Sequence, residues 1–333
     1  MDLTTRYLGL TLRTPLVAAA SPLSRTVDGV RRLADAGVGA VVLHSLFEEQ
    51  LRRETEHNVR MAAQGSESYP ESLTYFPSVV DPDGASRYLH LLESASNTVD
   101  IPVIGSLNGT TPGGWVNYAA SMQNAGAAAI ELNIYYLPGD SQIDGRQVEQ
   151  RHLDVLGAVE GAVKVPVAVK LSPFFSSIGE MAVRLDLAGA DGLVLFNRFL
   201  APDINCETLT PVSDVPLSTA AESRLPLTWI ALLHGRLRAS LAATTGVVAA
   251  AEVIKYLLAG ADVVQSASAL LRHGPEYAGV LLDGLRDWML SKGFATLDDV
   301  RGMLAVSDDG SARERGDYVK ALQNANSNAY GVY

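Results

Sequence analysis

The sequence predicts one α/β domain of the (β/α)8-barrel (TIM-barrel) class, and three observations carry that expectation. An Ala-Gly element recurs before short apolar runs, eight such runs can be counted, and each ends in a small or polar residue. A length of 333 residues suits one barrel with insertions. A hydrophobic fraction of 47% against 19% charged residues provides for a large core.

The recurring element comes first. Ala36-Gly37-Val38-Gly39-Ala40 precedes VVLHS, and Ala125-Gly126-Ala127 precedes AAIELN. Ala188-Gly189-Ala190-Asp191-Gly192 precedes LVLFN, and Ala259-Gly260-Ala261-Asp262 precedes VVQSAS. Each reads as an amphipathic helix stopped by a left-handed glycine, with a strand beginning two or three residues later. Repetition of this αβ half-unit implies a parallel sheet. Four more runs, at 16–20, 102–106, 166–170 and 240–244, bring the strand count to eight. Strands so continuously apolar are covered on both faces. Without a G-x-G-x-x-G after the first, a closed barrel is favoured over a doubly wound sheet.

Two connections are long. Residues 48–100 open with a charged helical stretch, EEQLRRETEHNVRMAAQ, followed by the loop SESYPESLTYFP. Residues 197–226 are rich in Pro, Asp, Thr and Ser and show no helical period. They follow the second and sixth strands, on the catalytic side of a barrel, as active-site loops do. Tyr277 to Lys292 reads as a closing helix and 297–304 as a short extra one. Residues 1–305 are therefore expected to form the barrel domain, with 306–333 a partly helical extension that frays into a small, polar tail.

Composition narrows the partners. A formal net charge of -11, with no basic run, disfavours a nucleic-acid partner. The single cysteine, Cys206, excludes an intrachain disulfide framework, and a free, unreactive thiol is the expectation for it. The opening MDLTTRYLGLTLRTP shows no secretory pattern, and no apolar stretch reaches the roughly 18 residues of a membrane span, so cytoplasm is expected. Histidines 44, 57, 90, 152, 234 and 273 form no i, i+4 pair, and no metal site is expected.

Chemistry is concentrated at the strand ends. In order these carry Ser21, His44-Ser45, Ser106 with Asn108, Asn133, Lys170, Asn197, Thr244-Thr245-Gly246 and Ala267-Ser268. In a barrel such ends converge on one mouth. Lys170 directly follows an apolar run, where its ammonium can stabilise a developing anion; a surface lysine with its stem along the wall is the alternative. Asn133 and Asn197 each offer a donor and an acceptor. Thr245, Gly246, Ala267 and Ser268 sit where loops after the seventh and eighth strands form a phosphate cradle, although Thr-Thr-Gly also suits an ordinary turn.

Over residues 2–305 these features resemble the dihydroorotate dehydrogenase family, in its soluble class and the branch called dihydroorotate dehydrogenase-like. TTRYLGLTLRTPLVAAAS, ELN at 131–133, VAVKLSP at 167–173, FN at 196–197 and AGADVVQSASALLRHGP at 259–275 carry the likeness. The resemblance implies an FMN-dependent oxidoreductase of pyrimidine biosynthesis that acts on a CH–CH bond, as a homodimer. It implies a short N-terminal hairpin before the first strand. Ala20, Ser21, Ser45, Ser106, Asn133, Lys170, Asn197, Thr245, Gly246, Ala267 and Ser268 would hold the cofactor. Asn108, Asn133 and Asn197 would hold substrate, and a redox protein or small molecule would accept the electrons.

The chain departs from that family at three places. His44 stands where the family has a lysine, Tyr136 where it has its catalytic cysteine or serine, and TTG lacks one glycine of the phosphate motif. Pro138 replaces a further asparagine. A phenol with a pKa near 10 is a poor base; His44 is either an acid/base or an orienting partner. The catalytic set is thus Lys170, His44 and Tyr136. A cradle lacking a glycine still works if φ stays negative there. Two other readings stay open: a flavin-free lyase or synthase using Lys170 as a Schiff-base amine, and a catalytically silent FMN-binding subunit.

Overall fold

A computed structural model describes residues 1–48, 84–109, 115–198, 203–212, 216–306 and 319–320. The expected charged helical stretch, His57 and nearly all of the C-terminal extension lie outside these residues.

Eight parallel strands close into a barrel: β3 (Leu16–Ala18), β4 (Ala40–Val42), β6 (Val103–Gly109), β7 (Ala129–Ile134), β8 (Val167–Leu171), β9 (Gly192–Leu195), β12 (Ser240–Thr244) and β13 (Val263–Ser266). Pairing of β13 with β3 and of β4 with β6 closes the ring. All eight apolar runs of the sequence are these strands. A two-residue strand, β5 (Leu46–Phe47), adds to the far end of β6.

Around the ring stand α1 (Val27–Asp35), α2 (Gly84–Thr98), α3 (Trp115–Asn124), α4 (Gly145–Glu160), α5 (Ile178–Leu187), α6 (Arg224–Leu233) and α7 (Ala250–Ala259). The short α8 (Ser268–His273) and the closing α9 (Tyr277–Lys292) follow the last strand. The four αβ turns behave as the sequence implies. Gly37, Gly126, Gly189 and Gly260 all have positive φ, between 93° and 113°. At Gly260 the amides of Gly260 and Ala261 return to the carbonyls of Leu257 and Tyr256, closing the carbonyl end of α7.

The N-terminal hairpin, β1 (Thr5–Tyr7) and β2 (Leu10–Leu12), plugs the amino end of the barrel. Tyr7, Leu8 and Leu12 pack with the inward residues Val17, Val42, Ile104, Ala129, Ala168, Val194, Ala242 and Val263. Gly192 makes room for it, since a Cβ there would stand 2.5 Å from Leu8 Cδ2. The outward residues of the same strands, such as Ile130, Leu132, Val167 and Val169, join the larger core beneath the helices. Alternation along each strand thus divides two cores.

Two expectations need correction. The connection after β9 is not wholly irregular. It carries an antiparallel hairpin, β10 (Asp203–Asn205) with β11 (Thr210–Val212), and α6 already begins at Arg224, ahead of Pro226. The hairpin turns because Asn205 Oδ1 accepts from the amides of Glu207 and Thr208, an Asx turn independent of helical period. The extra helix at 297–304 is only a 3-10 turn, Leu297–Asp299. Its chain then runs onto the barrel helices, with the amides of Gly302, Leu304 and Val306 bonded to carbonyls of Leu257, Leu258 and Ala231.

Candidate active site

The inward positions change character halfway along the strands. Ala129 and Ala168 belong to the apolar plug layer. Two residues further on the same faces stand Glu131 and Lys170, and two beyond Val263 stands Gln265. Lys170 Nζ donates to Glu131 Oε1 at 3.4 Å, and Gln265 Nε2 donates to Glu131 Oε2 at 2.8 Å. Glu131 is 1% exposed and Lys170 8%, so this ion pair sits at the floor of the mouth. Buried pairs add little net stability, because desolvation offsets their attraction, but removing one partner costs about 3–5 kcal/mol.

Sheet register extends the site sideways. Asn108, Asn133 and Lys170 are neighbours on β6, β7 and β8. Asn197, just past β9, donates through Nδ2 to Asn133 Oδ1 at 2.8 Å. Three asparagines and a lysine therefore occupy neighbouring positions. Arg198, the next residue, is held by Glu222 at 2.9 Å and by the Pro216 carbonyl.

Lys170 and Asn197 open onto a cleft of about 220 Å³. Its lining includes the small residues Ala19, Ala20, Ser266, Ala267 and Ser268, together with Thr244 and Thr245. Six sequence-nominated residues thus share one cleft: Ala20, Lys170, Asn197, Thr245, Ala267 and Ser268. The buried acceptor Gln265 Oε1, without a partner among the described residues, belongs to a residue of the same lining.

The phosphate-cradle region departs from one expectation. Thr245 has φ +78°, so the condition that φ stay negative at the position lacking a glycine is not met. A β-branched residue in the left-handed region is strained by about 1–3 kcal/mol. Its neighbours compensate: Thr245 Oγ1 donates to the Phe196 carbonyl at 2.9 Å, and Tyr256 Oη donates to the Thr245 carbonyl at 2.6 Å. Gly246 follows at φ +75°, and a Cβ there would lie 2.5 Å from Ser223 N. No side chain fits at that position.

Leu217 and Ser218 were not singled out from the sequence, yet both line the cleft. Gly246 N–H donates to Ser218 Oγ at 3.1 Å, and Ser218 Oγ and N each lie 3.0 Å from Ser268 Oγ. Arg272 fastens this strap by donating to the Leu217 and Ser218 carbonyls. Glu131 was also missed. The signal for it was a charged residue inside an apolar strand, two positions before Asn133.

The other nominated residues lie apart from the cleft lining. Ser21 caps the 3-10 turn Pro22–Ser24, its Oγ accepting from Leu23 N. Ser45 Oγ and Ser106 Oγ are 2.9 Å apart, and Ser106 N–H donates to Tyr88 Oη at 2.8 Å. His44 stands edge-on to the Tyr88 ring at 5.1 Å, and burial lowers its pKa, which keeps the imidazole neutral at pH 7. Its Nδ1 is buried with no hydrogen-bond partner among the described residues. Tyr136 is half-buried, with the Arg151 guanidinium 3.9 Å over its ring, a cation–π contact on the α4 side. Cys206 is exposed at the hairpin turn. Among the described residues no group of three or more His, Cys, Asp or Glu could hold a metal ion, and no helix is long and apolar enough to cross a membrane.

Comparison with known proteins identifies the family. A family model described as dihydroorotate dehydrogenase matches residues 2–289. The chain is 27% identical over 312 residues to the dihydroorotate dehydrogenase B (NAD(+)) catalytic subunit of Methanothermobacter thermautotrophicus, covering 90% of this chain and 98% of that one. It is 28% identical over 306 residues to the subunit of the same name from Methanocella arvoryzae, covering 91% and 98%. With the family model matched over most of its length, the chain belongs to the dihydroorotate dehydrogenase family.

Proposed function

We propose that this protein is an FMN-dependent oxidoreductase that withdraws a hydride equivalent from a small cyclic or carboxylated substrate. The observation that carries the reading is the cleft itself, where a buried lysine forms the floor and small side chains join the lining. The residues fit the group. Lys170 offers positive charge where an anionic edge would lie, Gln265 Oε1 is an acceptor without a partner among the described residues, and Ala267 and Ser268 are small enough to let a ligand approach the backbone.

When bound, the flavin supplies a two-electron acceptor. The protein's own residues would do the rest. Lys170 would hold negative charge at the floor, and the Asn133–Asn197 pair would present donor and acceptor edges to ring amides or carboxylates. The Leu217–Ser218 strap would exclude water from one side. His44, neutral through burial, is in the protonation state needed to accept a proton. Tyr136 sits under Arg151, where a cation stabilises the electron-rich ring. Substrate chemistry therefore need not match that of relatives carrying cysteine or serine at this place.

Purified protein supplied with FMN and exposed anaerobically to a panel of cyclic amides and small carboxylates, dihydroorotate included, tests the reading. Bleaching of the flavin by at least one member is expected. A protein that takes up no FMN, or a bound flavin that no member reduces, overturns it.

A further inference from the structure

The floor of the cleft holds a charge that the proposed function does not use. Glu131 lies inside the barrel, almost completely buried, between two residues that line the cleft. One of its oxygens faces the Lys170 ammonium at 3.4 Å and the other takes the Gln265 amide at 2.8 Å. An inward carboxylate has no place in a barrel built for packing alone. One layer below, the equivalent inward positions are alanine and valine.

Geometry separates two roles. A carboxylate that merely stabilised the fold would be best replaced by an apolar residue, because buried ion pairs seldom outperform good packing. A carboxylate that fixes a cation beside a reacting group must be held in place itself, as Gln265 holds Glu131. The long lysine side chain has four rotatable bonds, and without a fixed anion its ammonium would not be confined to one point of the floor. A negative charge so close to Lys170 also offsets much of the positive potential that the lysine projects into the cleft.

We infer that Glu131, clamped by Gln265, is a positioning residue that fixes the Lys170 ammonium beneath the cofactor and moderates its charge, so that the bound flavin is held at a lower reduction potential than the lysine alone would set. The inference rests on the FMN reading above and deepens it.

The test is the midpoint potential of the flavin in wild-type protein and in Glu131→Gln, measured by dye equilibration together with FMN affinity by fluorescence titration. Loss of the negative charge favours the electron-rich reduced flavin. The reduced-to-oxidised ratio at a fixed potential is expected to rise about tenfold, or ~30 mV for a two-electron couple. Glu131→Asp, which keeps the charge, should return most of the way to wild type. If Glu131→Gln does not fold, the comparison moves to Lys170→Met against the double variant Lys170→Met/Glu131→Asn. Without the lysine to position, replacing Glu131 should no longer alter FMN affinity, although its direct charge effect on the potential remains. Unchanged potential in Glu131→Gln, or a shift that Glu131→Asp reproduces in full, overturns the inference, as does a change in FMN affinity between Lys170→Met and the double variant. Failure of wild-type protein to take up FMN would instead sink the proposed function.

Discussion

The lower and upper halves of the barrel interior are lined by the same strands yet do opposite things. Below, Ala129, Ala168, Val194, Ala242 and Val263 close on the hairpin residues Tyr7, Leu8 and Leu12 in a mainly apolar plug. Above, two residues later on three of those strands, Glu131, Lys170 and Gln265 bring a charged, hydrogen-bonded layer to the floor of a cleft. Burial is nearly complete in both. Burial alone therefore does not mark a site; a buried charge with a fixed partner, next to open space, does.

That contrast can be broken by mutation. The largest effect is expected from Glu131→Leu, which strands the Lys170 ammonium: a loss of about 3–5 kcal/mol in chemical unfolding. Adding Lys170→Met should recover a large part, and a double variant no more stable than the single would show that the pair is not coupled. Leu8→Ala, in the plug, should cost about 2–4 kcal/mol by opening a cavity. It should leave the amount of FMN bound per folded molecule unchanged; lost binding would mean that plug and floor act as one unit.

Acid should act more gently. Burial lowers the pKa of His44 and of His152, whose ring nitrogen bonds the Val148 carbonyl. The unfolded chain then takes up protons that the folded one refuses, so stability should fall as pH drops below the ordinary histidine value of about 6.5 and be fully present above it. Unfolding midpoints from pH 5 to 8 for wild type and His152→Asn check this, and an unaltered slope in the variant would exclude His152. The smallest effect belongs to Thr245→Gly. Relief of the left-handed strain should offset loss of the Oγ1 bond to Phe196, for a change within about 1 kcal/mol. A loss well beyond that would mean the hydroxyl, and not the backbone angle, governs the turn.

The sequence makes the strands legible because four follow a left-handed glycine and the other four are equally short, continuously apolar runs, so all eight are found within a few positions. Lys170, Asn197, Ala20, Thr245, Ala267 and Ser268 are legible for a similar reason: they end strands of a closed ring, and closure brings such ends together. Glu131 was hidden because the inward or outward phase of a strand depends on how the ring closes, and its neighbour Asn133 drew the attention. Ser218 was hidden because its strap is set by tertiary contacts, the Arg272 guanidinium and the Gly246 amide, which leave no period in the sequence. Sequence alone also treats Ser21, Ser45 and Ser106 as the equals of Ser268. Their place in the fold separates them: Ser268 lines the cleft, whereas the first is a turn cap and the next two bond each other.

Equilibrium titration of the cofactor-free protein with FMN, followed by flavin fluorescence, probes the cleft most directly when wild type is set beside Gly246→Ala. Saturable binding with one FMN per chain, lost when a methyl group is forced against the Ser223 amide, is the expected result. Binding as tight in Gly246→Ala as in wild type, or none in wild type, would contradict the assignment of this cleft.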